Sequence, residues 1–328
     1  MFDQQLIQET LDYAKSKGAD FAEAFCEQTT SVATALDEKR IDTRTSGSTN
    51  GVGIRVINNS RVGYAYTSTI SSLGLKATVD AACISAGVGG ISPSGKGVDA
   101  NLFINDKNTI ANQESEAEAS FQDPALKTAE RLREIDEVVR SYDRKIVEAS
   151  ATIAQNRRDI LIMNTYGLNV FDSQPRTRLG VRAFAKDANS FQDSHEGPGR
   201  SLGIGFFDQF DIDEIAKTAA KRAVTLLDAV DCPSGNFPVI LKKGAGGVLF
   251  HEACGHGLEA DHIDKGLSVF AGKKGTQVAS NLVTVVDDGT MENEWGTYKF
   301  DDEGNAAQKN VLIQDGILND YMFDVLRS

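Results

Sequence analysis

The chain has 328 residues, enough for two domains on ordinary domain sizes, and its 41% hydrophobic content supplies real cores. A formal net charge of −13 argues against binding nucleic acid or an anionic membrane, both of which favour basic surfaces. No apolar run approaches the roughly 20 residues that span a bilayer, the N-terminus lacks a signal-peptide pattern, and Cys26, Cys83, Cys232 and Cys254 show no paired spacing. The cytoplasm is the expected compartment.

Residues 3–17 place Leu6, Ile7, Leu11 and Ala14 near a helical period, with Lys17-Gly18 as a stop. Phe21–Thr29 and Ser31–Leu36 are expected as strands, and Glu38-Lys39-Arg40-Ile41 begins a connection. Gly51–Ile57 and Arg61–Tyr66, joined by Asn58-Asn59-Ser60, predict a hairpin. Ser71 is placed to cap an alanine-rich helix running to about Ala86. The glycine-rich and acidic stretch over 87–123 reads as a surface loop. Pro124 then opens a helix with Leu126, Ala129, Leu132, Ile135 and Val139 on one face.

From Lys145 the pattern repeats. Strands, a charged connection and a Gly-Val-Arg strand echo the earlier Gly-Ile-Arg segment, followed by SLGIGFFDQF as a second strand and DEIAKTAAKRAVTLLDA as a helix. Two helix–strands–helix units sharing one sheet, or merely common amphipathic patterning, account for it. The expected fold is α+β: an N-terminal mixed α/β domain of strand-strand-helix repeats over 1–232, and a mostly antiparallel β catalytic region over 233–328 carrying a metal helix. His195, in a polar loop, is read as a surface histidine. Within the second region Phe237–Leu241 and Val283–Val286 predict strands, and residues 310–318 a short hairpin around Gln314-Asp315.

Between those strands lies Gly244-Ala245-Gly246-Gly247-Val248-Leu249-Phe250-His251-Glu252-Ala253-Cys254-Gly255-His256-Gly257-Leu258-Glu259-Ala260-Asp261-His262, holding three of the chain's 4 histidines. Imidazoles ligate divalent transition metals, and an adjacent carboxylate can take a proton from water. His251 and His256 are five residues apart, so a regular helix would separate them by roughly 140° and they could not share an ion. A π-bulge restores them to one face, with Gly255 easing the distortion. The apolar Val248, Leu249, Phe250 and Ala253 predict a helix buried on one side, with the histidines on a cleft wall. A buried helix with incidental histidines is the competing reading of the bare pair. Gly244, Gly246 and Gly247 lack the lysine of a phosphate loop, and no G-x-S-x-G occurs.

HEACGHGLEAD, after its glycine-rich run and before a segment ending in Asp301-Asp302-Glu303-Gly304, resembles the TldD branch of the TldD/PmbA metallopeptidase family, whose signature is H-E-x-x-x-H. The resemblance implies that His251 and His256 ligate Zn2+, that Glu252 is the general base, and that a cysteine far toward the C-terminus completes the set. This sequence stops before that cysteine, so it is expected to be truncated. Cys232 lies too early for the role, and Cys254 points between the histidines. His262 follows His256 at the metzincin interval, but Glu259 stands where that motif turns. The acidic run 301–303 is read as turn chemistry in preference to a cleft lining.

By the same resemblance the substrates are short or unfolded peptides, including peptide antibiotics and labile antitoxins. The partner is a related TldE/PmbA-type subunit, or a second copy in a homodimer. A catalytically inactive peptide-binding or partner subunit is the alternative, since hydrolytic zinc normally has three protein ligands. A closed structural metal site would need His262, Glu259 or Cys254. Iron and manganese stand open beside zinc.

Overall fold

A computed structural model describes residues 2–89 and 125–327. Most of the loop expected over 87–123, and Pro124, fall outside the described residues. Helix α1 spans Gln4–Ser16, and the Asp3 side chain accepts from the amides of Gln5 and Leu6, two of the donors a helix start leaves unpaired. Strands β1 (Phe21–Asp37), β2 (Arg40–Asn58) and β3 (Arg61–Thr67) follow. Helix α2 (Ser72–Ala86) is capped by Ser71 as the sequence predicts and ends at Gly87 with φ 73°.

The second unit repeats this order. It comprises α3 (Ala125–Ser141), β4 (Ile146–Asn164), β5 (Asn169–Lys186), β6 (Phe191–Glu196), the short β7 (Gly199–Arg200) and α4 (Ile212–Leu226). All strands join one antiparallel sheet in the order β3-β2-β1-β4-β5-β6, with β7 beside β5. The central β1–β4 pair runs from Glu23↔Asn164 to Asp37↔Ser150, so the two units meet head to tail. Alternate side chains therefore carry the two helix pairs on one face at opposite ends. Helices α1 and α2 pack Leu11, Leu75 and Val79 on Ala24, Ile54 and Met163. Leu132 and Ile135 of α3 and Ala220 of α4 pack on Ile153, Leu179 and Val181. Each fully buried aliphatic side chain here contributes about 1.5–3 kcal/mol.

Three expectations are corrected in this layer. β1 runs unbroken through Thr30, and its partner β2 begins at Arg40. Every residue from Asp42 to Asn50 is exposed, so this part of β2 lacks the alternation that betrays a strand and is held by its ladder with β1. SLGIGFFDQF is not a strand: it turns through a 3-10 segment, Ile204–Asp208, that buries Phe206 and Phe207 in edge-on contact. His195 lies on β6 opposite Arg182 and not in a loop.

Beyond residue 232 the order is α5 (Ala245–Phe250), a π-helical turn (His251–Gly255), a 3-10 turn (His256–Leu258), α6 (Ala260–Asp264) and strands β8 (Val285–Asp288), β9 (Lys309–Gln314) and β10 (Ile317–Leu318). These strands form an antiparallel sheet, with Asp315 and Gly316 at φ 49° and 82° turning the expected hairpin. Its cluster of Leu312, Ile313 and Leu318 encloses Leu258. Residues 237–241 form no strand, because no described strand pairs with them, and Ile240 is 91% exposed. The other face of the large sheet is covered at one end: Phe300 packs with Ile160 and Ile162, and Val325 with Phe21 and Ile57.

Candidate metal centre

The helix carrying the histidines starts at Gly244, whose φ of 92° and ψ of −123° suit glycine. It runs as an α-helix only to Phe250. His256 then donates its backbone N–H to the carbonyl of His251, the i→i+5 bond of a π turn. That one extra residue turns the rings together: their centroids lie 4.4 Å apart at 72°. Gly255 itself has φ −56° and ψ −55°, a conformation open to any residue, and an added Cβ would meet His251 Nδ1 at an ordinary 3.6 Å. The distortion therefore does not depend on its lacking a side chain.

Potential ligand atoms of His251, Glu252 and His256 lie within 4.8 Å of one another. His256 donates from Nδ1 to Glu259 Oε1 at 2.8 Å, which leaves Nε2 as the basic nitrogen; it faces Glu252 Oε2 at 3.8 Å. Two imidazoles beside a carboxylate suit zinc and other borderline divalent ions. The Glu252 side chain is 64% exposed and that of His256 48%, so water and a peptide reach them freely.

His262 stands apart, in a second group with Glu259 and Asp261. Glu259 links the two groups, its Oε2 lying 3.6 Å from His262 Nε2. Asp261 Oδ2 accepts from Lys265 at 3.0 Å, which holds its carboxyl below the usual carboxylate range. Among the described residues Cys232 and Cys254 belong to neither group. Sequence reasoning considered Glu259 as a misplaced turn residue or an extra ligand of a closed structural site, not as a bridge between the two groups. The signal for its bridging place was its spacing, three residues after His256 and three before His262.

The expected half-burial of this helix is not found. Val248, Leu249 and Phe250 are 57%, 57% and 58% exposed, because no described element packs over α5, and the histidines sit on an open surface instead of a cleft wall. Its far end is anchored. The amide of Ala260 donates to Met322 O and that of Met322 to Leu258 O, at 2.9 and 2.8 Å.

Asp301, Asp302 and Glu303 build a turn on the sheet. Asp301 accepts from the amides of Glu303 and Asn305, Gly304 has φ 80°, Asp302 meets Arg158, and Glu303 Oε1 meets Arg55 at 2.7 Å. Arg55 also pairs with Glu23 at 3.2 Å. Burial pushes the Glu23 carboxyl up to about 7 against the pull of Arg55, with Glu303 and Asp301 adding to the rise.

An α+β chain whose H-E-x-x-x-H turn gathers its donors in this way offers the donor set of the metallopeptidase class. Comparison with known proteins narrows the class to a family. The PmbA/TldA metallopeptidase models match in three parts: domain 1 over residues 22–86, the central domain over 118–227 and the C-terminal domain over 234–328. The chain belongs to the TldD/PmbA metallopeptidase family. It is 33% identical to the metalloprotease TldD homolog of Haemophilus influenzae, over 99% of this chain and 67% of that one. It is 32% identical to the metalloprotease TldD homolog of Buchnera aphidicola subsp. Acyrthosiphon pisum, over 85% of this chain and 57% of that one. The chain thus spans between half and about two thirds of these relatives. The fold matches the crystal structure of TldE from Thermococcus kodakarensis with a TM-score of 0.76 at 17% identity, over 98% of this chain and 70% of that one. No helix among the described residues is long and apolar enough to cross a membrane.

Proposed function

We propose that this chain carries the zinc-binding segment of a cytoplasmic peptidase that hydrolyses short or unfolded peptides. In this reading His251 and His256 are metal ligands, Glu252 is the general base, and Cys232–Pro233 marks the junction of an N-terminal domain with a catalytic one. The observation that carries it is the i→i+5 bond that sets both imidazoles and Glu252 within 4.8 Å of one another. When bound, zinc supplies a Lewis acid for a scissile carbonyl and lowers the pKa of water. Glu252 takes a proton from the attacking water and returns it to the leaving amine. Glu259 holds His256 with Nε2 turned toward Glu252. The family resemblance and the TldE neighbour support pairing with a TldE/PmbA-type subunit, with a homodimer as the fallback.

The test is zinc content by chelator competition, with cleavage of an unfolded peptide measured alongside. His251→Ala and His256→Ala lose both zinc and cleavage; Glu252→Gln keeps zinc and loses about 10²–10⁴-fold in rate. Wild-type chain without stoichiometric metal would sink this reading. One observation favours a second: the cluster offers two imidazoles, whereas hydrolytic zinc normally has three protein ligands. A peptide-binding subunit without hydrolysis would bind unfolded peptide equally well after chelation and leave it intact.

A further inference from the structure

The face of the large sheet opposite the helices is left open at the end away from Phe300 and Val325. Register sets Ala33, Ala154 and Arg178 in one row across β1, β4 and β5, and Ala35, Thr152 and Gly180 in the next. A solvent-facing sheet ordinarily carries long polar side chains. Here the floor is alanine, threonine and glycine, low enough for another backbone to lie on it. The result is a groove of about 290 Å³ whose wall carries Arg178, Arg182 and His195.

That wall carries two arginines on a chain whose net charge is −13. Arg182 is paired with Asp193 at 2.9 Å. Arg178 is exposed and has no ion pair or side-chain hydrogen bond among the described residues. Further along β5, Arg176 lies 5.8 Å from the Trp295 ring, and its enclosed Nε has no acceptor. Burial, and then the neighbouring Arg158 guanidinium, depress the pKa of Arg176.

We propose that this groove binds an acidic, extended segment of unfolded polypeptide, its backbone on the Ala–Gly floor and its carboxylates toward Arg178 and Arg182. Spacing favours a polypeptide over a small anion. Side chains on one face of a strand recur every ~6.8 Å, so Arg178 and Arg182, with Gly180 between them on that face of β5, lie about two repeats apart and match carboxylates four residues apart on an extended peptide. The groove lies on the sheet, and the inference does not rest on the metal reading.

Trp295, the chain's only tryptophan, stands at the groove's end and reports on it. The experiment titrates the EDTA-treated chain with a ten-residue alternating Glu-Ala peptide, its Lys-Ala counterpart and inorganic phosphate, following Trp295 fluorescence and heat. The Glu-Ala peptide is expected to bind, more weakly as salt rises, and the Lys-Ala peptide not to bind. Arg178→Glu, at an exposed position, weakens binding at least tenfold, and Thr152→Phe, which fills the floor, does the same with the charges intact. Equal binding of both peptides, displacement by equimolar phosphate, or unchanged affinity in both variants overturns the proposal. Self-association that Arg178→Glu abolishes, in place of peptide binding, overturns it in favour of a second copy.

Discussion

The sheet-and-helix layer and the segment that carries the histidines are built on different terms. In the layer, residues such as Ile54, Leu75, Leu132 and Leu179 are fully enclosed between helices and long paired strands. Around the histidines, Leu258 is enclosed by the small sheet, but Ile240, Val248 and Leu282 stay in solvent. The π turn is therefore held by backbone hydrogen bonds and by its anchored end at Met322, with little burial of α5. Stability is concentrated in one region and chemistry in the other, as expected where a scaffold carries a site of low local stability.

The largest effects should separate the two regions. Leu132→Ala opens a cavity between α3 and the sheet and is expected to cost about 2–5 kcal/mol in urea denaturation. Gly63→Ala acts oppositely, by overpacking: its Cβ would meet Ala82 O at 2.0 Å and Ala86 N at 2.5 Å, forcing α2 off β3 at a cost of about 1–3 kcal/mol or more. Val248→Ala on α5 should stay within about 0.5 kcal/mol. If Val248→Ala costs as much as Leu132→Ala, the contrast between the regions fails.

The ionic contact between the regions has a pH signature of its own. The Glu23 carboxyl is raised from 4.5 to about 7, so the folded state holds its proton more tightly than the unfolded chain does. Its contribution is complete below about pH 4.5 and is lost as pH climbs through 7. At about 1.4 kcal/mol per pH unit this amounts to about 3 kcal/mol. Glu23→Gln keeps an acceptor for Arg55 without the ionisation. The stability of that variant relative to wild type should rise by about this amount between pH 4.5 and 8, measured by paired urea melts. A pH-independent difference would remove Glu23 as the source.

Much of this was legible in the residues, for identifiable reasons. The π turn was readable because five-residue spacing cannot serve one ion on a regular helix, and the Ser71 cap and Asn59-Ser60 turn because they have few conformational alternatives; the second hairpin was read, but its turn falls at Asp315-Gly316, one residue beyond Gln314-Asp315. The exposed run of β2 was not readable, since a strand wet on both faces shows no period of two. Apolar α5 was misjudged because an apolar stripe implies burial only when another element arrives to cover it. The bridging place of Glu259 was missed although its spacing, three residues from each of His256 and His262, carried the signal, because attention to metal ligands left aside the acceptor that orients an imidazole. SLGIGFFDQF misled as a strand because its paired phenylalanines are buried equally well from a 3-10 turn.

The smallest effect gives the finest test of how the regions are joined, since two adjacent carboxylates of one turn face the same sheet. Glu303 is nearly enclosed, its side chain 17% exposed against 20% for Arg55, and its Oε2 accepts the amide of Val325 at 2.9 Å. Glu303→Ala strips acceptors from two partly buried donors and should cost about 2–3 kcal/mol. Asp302 meets Arg158 at 3.3 Å while 69% exposed, and Arg158 keeps Glu27 at 2.7 Å when Asp302 is gone. Asp302→Ala should therefore cost at most about 0.5 kcal/mol, and less in high salt. Thermal melts of the two variants at 0.05 and 0.5 M salt make the comparison. Equal losses would mean that the turn is held by charge at long range, whereas a large loss confined to Glu303→Ala places the joint at the Glu23–Arg55–Glu303 contact.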